Sequence, residues 1–172
     1  LVYLTENSKT SPLTAPNFCM VLRKHLSNAK ILDIYQPGLE RIINFKLEHY
    51  NEMGDLCQKL LIVELMGKHS NIIFTDMDGR IIDSIKHIDF EISSVREVMP
   101  ARPYILPDNQ GKGNPFDVSH IDFKPSEISL AKFITTNYLG ISTIFANEIE
   151  YKNADLIKEI NYNGTNLNHI YS

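Results

Sequence analysis

The sequence predicts an α+β fold in which an antiparallel β-sheet is followed by a helical hairpin. Three observations carry that expectation. Between Leu60 and Ile88, apolar runs at Leu60–Met66, Ile72–Phe74 and Ile81–Ile85 are split by Gly67-Lys68-His69-Ser70 and by Asp76-Met77-Asp78-Gly79, the layout of three short antiparallel strands. Two more strands flank the turn signal Pro37-Gly38. From Pro125 onward the apolar spacing becomes helical.

Taken in order, Leu1-Val2-Tyr3-Leu4-Thr5 has no initiator Met and reads as a strand entered part-way, as in a fragment of a longer protein. Glu6 to Leu13 is polar and loop-like. Thr14 is positioned to cap a helix entered through Ala15 and Pro16, with Phe18, Val21, Leu22 and Leu26 as its buried stripe. Arg23, Lys24 and His25 fall in its last turns, where cations complement the helix dipole whether or not they also touch a ligand. Ser27-Asn28 ends it.

Lys30–Tyr35 and Arg41–Tyr50 follow as strands. In the second, Ile43, Phe45 and Leu47 alternate with Asn44, Lys46 and Glu48, which predicts one buried and one wet face. The Gln36-Pro37-Gly38-Leu39-Glu40 turn aims Glu40 and Arg41 outward. Neighbouring opposite charges form a weak surface pair, or a guanidinium beside a carboxylate reads a base edge. At the centre of the sheet, Lys68 and His69 put a cation and an imidazole at a strand-pair tip, either a solvated turn or a functional loop.

Ser93–Val98 reads as one or two helical turns, and the proline-punctuated stretch from Met99 to Pro115 as a strap across the sheet, anchored by Phe116-Asp117-Val118 and Phe123. Ser126 is the expected cap of a helix containing Ile128, Leu130, Ala131, Phe133 and Ile134 that stops at Gly140. Ser142 caps a second helix, a third runs from Ala154 to Ile160, and the Asn-rich tail is expected to fray. The expected division is a β-rich domain over residues 1–122 and a helical element over 123–172.

With 172 residues, 43% hydrophobic and 22% charged, the chain has the make-up of an ordinary globular protein. No apolar run is long enough to cross a bilayer, so no membrane insertion is expected. Cys19 and Cys57 have no CxxC partner spacing, which favours a reducing, cytoplasmic setting. Asn163-Gly164-Thr165 is a glycosylation tripeptide of the kind that arises by chance. The six histidines His25, His49, His69, His87, His120 and His169 include no HExxH, so no metal is expected. Asp76, Asp78 and Asp83 lack the closing Glu of a calcium loop. Phosphate-cradling, dinucleotide and nucleophile-elbow motifs are absent as well, so neither a cofactor nor an enzyme is indicated. What recurs at tips and strand ends is basic: Arg41, Lys68, His69, Arg80, Lys86, His87 and Arg96. With a net charge of -4, such residues bind phosphate only if the fold gathers them.

Linked blocks carry a resemblance. Phe18-Cys19-Met20-Val21-Leu22-Arg23-Lys24-His25-Leu26, Gln36-Pro37-Gly38-Leu39-Glu40-Arg41-Ile42-Ile43 and Glu64-Leu65-Met66-Gly67-Lys68-His69-Ser70-Asn71-Ile72-Ile73 come in the right order. With Asp83-Ser84-Ile85-Lys86-His87, Arg96-Glu97-Val98-Met99-Pro100 and Leu139-Gly140-Ile141-Ser142, they resemble the NFACT N-terminal domain of the RqcH/NEMF family. Its bacterial members are often labelled fibronectin-binding protein A. The resemblance implies a sheet like the N-terminal domain of formamidopyrimidine-type DNA glycosylases, followed by a helix-two-turns-helix-like element. It implies no glycosylase activity, because the N-terminal proline nucleophile of those enzymes has no counterpart here.

It also implies a noncatalytic RNA-binding module of a ribosome-associated quality-control factor. The partners would be a large ribosomal subunit with a stalled peptidyl-tRNA and an alanine tRNA positioned for C-terminal alanine tailing. A family Asp-Arg pair implicated in tRNA contact falls on Glu40-Arg41, where Glu keeps the charge and adds a methylene. Arg23, Lys24, Lys68, His69, Lys86 and Arg96 are further candidate RNA contacts, several of which could equally serve folding. The rivals are a fibronectin-binding adhesin at the cell surface, as the family label suggests, and a glycosylase-like enzyme.

Overall fold

The structure, a computed structural model, describes residues 5–7, 10–107, 111–117, 123–124 and 127–163, with 159–163 by backbone alone. The chain forms two units, Leu1–Pro107 and Asp108–Ser172.

The first unit is a five-stranded antiparallel meander, with β1 (Lys30–Tyr35), β2 (Ile42–Tyr50), β3 (Leu56–Glu64), β4 (Asn71–Asp76) and β5 (Ile81–Ser84) in sequence order across the sheet. The expected turns make these connections. Gly38, Gly67 and Gly79 all take positive φ, at 56°, 58° and 79°, which a side chain would strain. The three central strands fall where the apolar runs placed them, with β3 beginning earlier, at Leu56.

β2 departs from simple alternation. Ile42 and Asn44 are buried near its start, whereas Leu47 and His49 are buried near its end, and Ile43 and Phe45 are only half-buried. The expectation that Ile43, Phe45 and Leu47 define a single inner face is thus corrected. Each face of the sheet is covered, but at opposite ends.

On one face Ile42, Ile62, Ile73, Ile81 and Val98 form a core, joined by Leu60, Met66, Ile88 and Tyr104. Burying each such side chain contributes about 1.5–3 kcal/mol. The cover is the segment from Ile88 to Tyr104. Ile88 and Val98 exchange backbone hydrogen bonds of 2.9 and 2.7 Å, Ile81 donates to Arg102 and Tyr104 to Gly79. A strap was expected, but it starts earlier, and Ser93–Val98 is not helical. Val98 pairs with Ile88 in an extended bridge instead, which suits its β-branched side chain.

On the other face lies helix α1 (Asn17–Leu26). Phe18 is buried, and the His25 ring stands 5.7 Å from that of Phe74 and 6.1 Å from that of His49. Pro16, not Thr14, occupies the cap position and makes no side-chain cap bond. Its fixed φ starts the helix without one. Asn28 closes it at φ 64°.

In the second unit, α2 (Leu130–Asn137), α3 (Thr143–Lys152) and α4 (Ala154–Asn163) follow the 3-10 turn Pro115–Asp117. Phe123, Leu130, Ala131, Ile134 and Ala146 form its core. Ser142 caps α3 as expected, its Oγ accepting from Phe145 at 3.2 Å. The cap of α2 is Ser129; Ser126 and the tail from 164 lie outside the described residues. Glu150 of α3 also accepts from the Ala131 amide at 2.6 Å, tying the hairpin together. The proposed strap anchors are corrected too. Phe116 is 83% exposed, and Phe123 belongs to this helical core, while Val118 lies outside the described residues.

Candidate nucleic-acid interface

Strand register decides which of the candidate residues share a place. Ile42 pairs with Glu64, and Glu64 with Asn71, so the β1–β2 and β3–β4 turns leave the sheet at the same end. β5 closes at that end as well, since Ile85 donates to Ile72 at 2.9 Å. Glu40, Arg41, Lys68, His69 and Lys86 therefore gather there, with Arg41, Lys68, His69 and Lys86 exposed and Glu40 half-buried. Arg23 and Lys24 do not join them. They are on the last turns of α1, toward the end where Lys30 pairs with Glu48. Nine residues of β2 at about 3.3 Å each separate the two ends by roughly 25 Å.

The Arg41 turn is held through its backbone. Glu40 donates to the Pro37 carbonyl at 3.2 Å, the Gln36 side-chain amide to the Glu40 carbonyl at 2.6 Å, and Leu65 to the Arg41 carbonyl at 2.8 Å. The guanidinium of Arg41 is left at the surface on a braced scaffold. The neighbouring tip is braced by side chains. Lys86 Nζ donates to the Lys68 carbonyl at 3.0 Å, and buried Asn71 both donates to the Lys86 carbonyl and accepts from its amide at 2.9 Å. Lys86 thus links two loops while keeping its charge beside Lys68, and His87 pairs with Asp83 at 2.7 Å.

Arg96 is placed differently. Its guanidinium meets Glu64 through two parallel bonds, 2.7 and 2.5 Å, and reaches the Ile105 carbonyl at 3.0 Å. The Tyr104 hydroxyl donates to the same carboxylate at 2.9 Å, and the Arg96 guanidinium lies 5.9 Å from the Tyr104 ring. Glu64 is 0% exposed. Burial works to lower the Arg96 pKa, but the hydrogen bonds and charge of Glu64 outweigh it and raise the pKa. Burial, then the Glu64 charge, raises Tyr104 far above the usual phenol range. The group pins the strap to the sheet behind the candidate turns and occupies the side chain of Arg96 internally. Sequence reasoning passed over Glu64, Asn71 and Tyr104 as functional supports. The available signal was a carboxylate closing the apolar run Leu60–Val63, with an arginine and a tyrosine downstream in the strap.

Among the described residues no group of three or more His, Cys, Asp or Glu is arranged to hold a metal, and no helix is long and apolar enough to cross a membrane.

The chain matches, over residues 1–171, the family model described as NFACT N-terminal and middle domains. It is similar to the Rqc2 homolog RqcH of Bacillus subtilis, 39% identical over 88% of this chain and 27% of that protein. The Rqc2 homolog RqcH of Streptococcus suis is 43% identical over 69% of this chain and 22% of that one. The chain thus spans about a quarter of the length of these curated relatives. Among solved structures, it resembles the N-terminal domain of fibronectin-binding protein PavA from Streptococcus pneumoniae, with a TM-score of 0.75 and 34% identity, covering 94% of this chain and 62% of that one. The N-terminal part of the fibronectin/fibrinogen-binding protein of Streptococcus suis gives 0.74 at 33% identity, over 92% and 61% of the two chains.

Proposed function

Because the chain belongs to the family of NFACT N-terminal and middle domains, we propose that it is the noncatalytic RNA-binding part of a cytoplasmic ribosome quality-control factor. In this reading the parent protein binds large ribosomal subunits obstructed by a stalled peptidyl-tRNA. It positions an alanine tRNA for C-terminal tailing. One observation carries the reading at this chain: Arg41 stands on a backbone-braced turn at the same sheet end as exposed Lys68, His69 and Lys86.

The cations supply affinity for phosphate, which is indifferent to sequence. The Arg41 fork, beside the Glu40 carboxylate, supplies selectivity, since donors and acceptors on a fixed turn match the edge of an unstacked base. Nothing in this division of labour requires bond chemistry. Relatives named as Rqc2 homologs support it.

The test uses the full-length parent, wild type and Arg41→Ala, sedimented from lysate through a sucrose gradient with the bound RNA sequenced. Wild type should travel with large subunits and tRNA, and Arg41→Ala should lose mainly the tRNA. Wild type remaining at the top of the gradient without RNA would sink the proposal. Fibronectin binding, favoured by the names of the solved relatives, would then be measured next on immobilised fibronectin.

A further inference from the structure

At the sheet end remote from Arg41, a cavity of about 350 Å³ opens between α1 and the β2–β3 turn, lined by Lys24, His25, His49, Tyr50, Glu52 and Met53, with Asn51 completing its wall. That volume sits at the small end of the roughly 300–1,000 Å³ typical of ligand pockets. Its wall holds an unusual group. His49 is 5% exposed, its Nδ1 lies 3.1 Å from the Tyr50 carbonyl, and its Nε2 is buried without a hydrogen-bond partner. A carbonyl oxygen only accepts, so Nδ1 carries a proton, and the Nδ1–H tautomer leaves the Nε2 lone pair bare on the cavity side of the sheet. Such an atom calls for an N–H or O–H donor, not an anion.

The other surfaces suit a flat, heteroaromatic donor. The His25 ring stands edge-on to His49, Tyr50 is 73% exposed, and Met53 is an exposed, adaptable apolar side chain. Burial, then His49, Lys24 and Lys59, lowers the His25 pKa, against the opposing pull of Glu52, so burial and its neighbours disfavour the charged form of that ring. Charge is confined to the rim. Lys24 there is paired with Glu52 at 3.1 Å in an exposed ion pair of the weak kind that a stronger anion displaces. Asn51 is spent within its own turn, accepting from the Met53 and Asp55 amides.

We propose that this cavity binds the amino-bearing base of a nucleotide, its amino group donating to His49 Nε2 and its phosphate held by Lys24 at the rim. Contact with the buried nitrogen requires the His25 ring, which stands edge-on to His49, to shift as the base enters. The base stacks on Tyr50, as unpaired bases do on exposed aromatic side chains. The ligand is either a free mononucleotide or an unpaired nucleotide of an RNA strand. The second source rests on the RNA-binding reading above; the first does not.

The test titrates the ribosome-free full-length protein by calorimetry with adenosine 5′-monophosphate, with purine riboside 5′-monophosphate, which lacks the amino group, and with inorganic phosphate. The adenine nucleotide should bind at least tenfold more tightly than the purine one, and phosphate should give no heat. His49→Phe should abolish that preference, and Tyr50→Ala, an exposed position that leaves the fold intact, should weaken both nucleotides. A pentamer of adenosine binding more tightly than the monomer assigns an RNA residue as ligand; equal affinity assigns the free nucleotide. Equal binding of the two mononucleotides, or unchanged binding in Tyr50→Ala, overturns the assignment. Sedimentation with large subunits is scored in parallel. Its survival alongside failed nucleotide binding removes this inference alone, while the reverse outcome removes the ribosomal reading alone.

Discussion

Glu64 is the residue on which the first unit is most exposed to damage. Its carboxylate is wholly enclosed and has Arg96 and Tyr104 as partners. Removing Arg96 strands a buried charge, so Arg96→Ala should cost about 3–5 kcal/mol in denaturant unfolding, whereas Tyr104→Phe, losing one hydrogen bond to a charged group, should cost about 1.5–3 kcal/mol. Equal losses in the two variants would show that the carboxylate is not held as described. Tyr104 also sets an alkaline limit. Its folded pKa is raised, so the stability it contributes is complete below its unfolded value near 10 and falls as pH rises beyond that. His25 works in the opposite sense. Burial, then His49, Lys24 and Lys59, lowers its pKa, so its contribution is complete above about pH 6.5 and is lost as pH falls below that value. Thermal unfolding at pH 7 and pH 5 should separate wild type from His25→Gln, with the wild type losing more on acidification. None of this was legible from spacing, because it depends on which charges burial brings together across distant segments.

Elements were easier to read than faces. Turn chemistry at Pro37-Gly38 and Asp76-Met77-Asp78-Gly79 located the hairpins, because positive φ is a local demand that few residues meet. The β2 pattern misled because alternation reports one covered face, and here α1 covers the far end of one face and the strap the near end of the other. Segment 93–98 misled because the extended pairing of Val98 with Ile88 outweighs a short helical turn. At α2, Ser129 satisfies the first turn, accepting from Lys132 at 3.2 Å. Ser129→Ala and Ser142→Ala should each cost about 0.5–2 kcal/mol in thermal unfolding. Gly38→Val, strained at φ 56°, should disturb the turn and, on the proposed reading, weaken tRNA recovery as expected for Arg41→Ala. Retention of full tRNA binding by Gly38→Val would show that the turn geometry does not matter.

At the scale of the whole molecule, a net charge of -4 coexists with a local gathering of cations at one end of the sheet. Three lysine and arginine side chains, Arg41, Lys68 and Lys86, share one end, and His69 adds an imidazole. If each neutralises one phosphate, log affinity for RNA should fall against log salt with a slope of roughly −2 to −3. Between 50 and 200 mM salt that is roughly a 16- to 64-fold loss, measurable by filter binding, and Lys68→Ala should reduce the slope by about one. A flat salt response would mean that phosphate is not what this end recognises. The gathering itself could not be read from the chain, where these residues are up to 45 positions apart. It follows only from the register that sets Ile42 beside Glu64 and Glu64 beside Asn71.

The turn that presents Glu40 and Arg41 is held through their main chain, by the Pro37 carbonyl, the Gln36 side-chain amide and the Leu65 amide, with neither the Glu40 nor the Arg41 side chain taking part. Inheritance can therefore alter these two letters while the scaffold beneath them stays the same. Lengthening an acid by a methylene there, or swapping its partner, is a change of dialect that selection can try in a single step. The enclosed trio of Glu64, Arg96 and Tyr104 permits no such experiment: each member can change only in concert with the others.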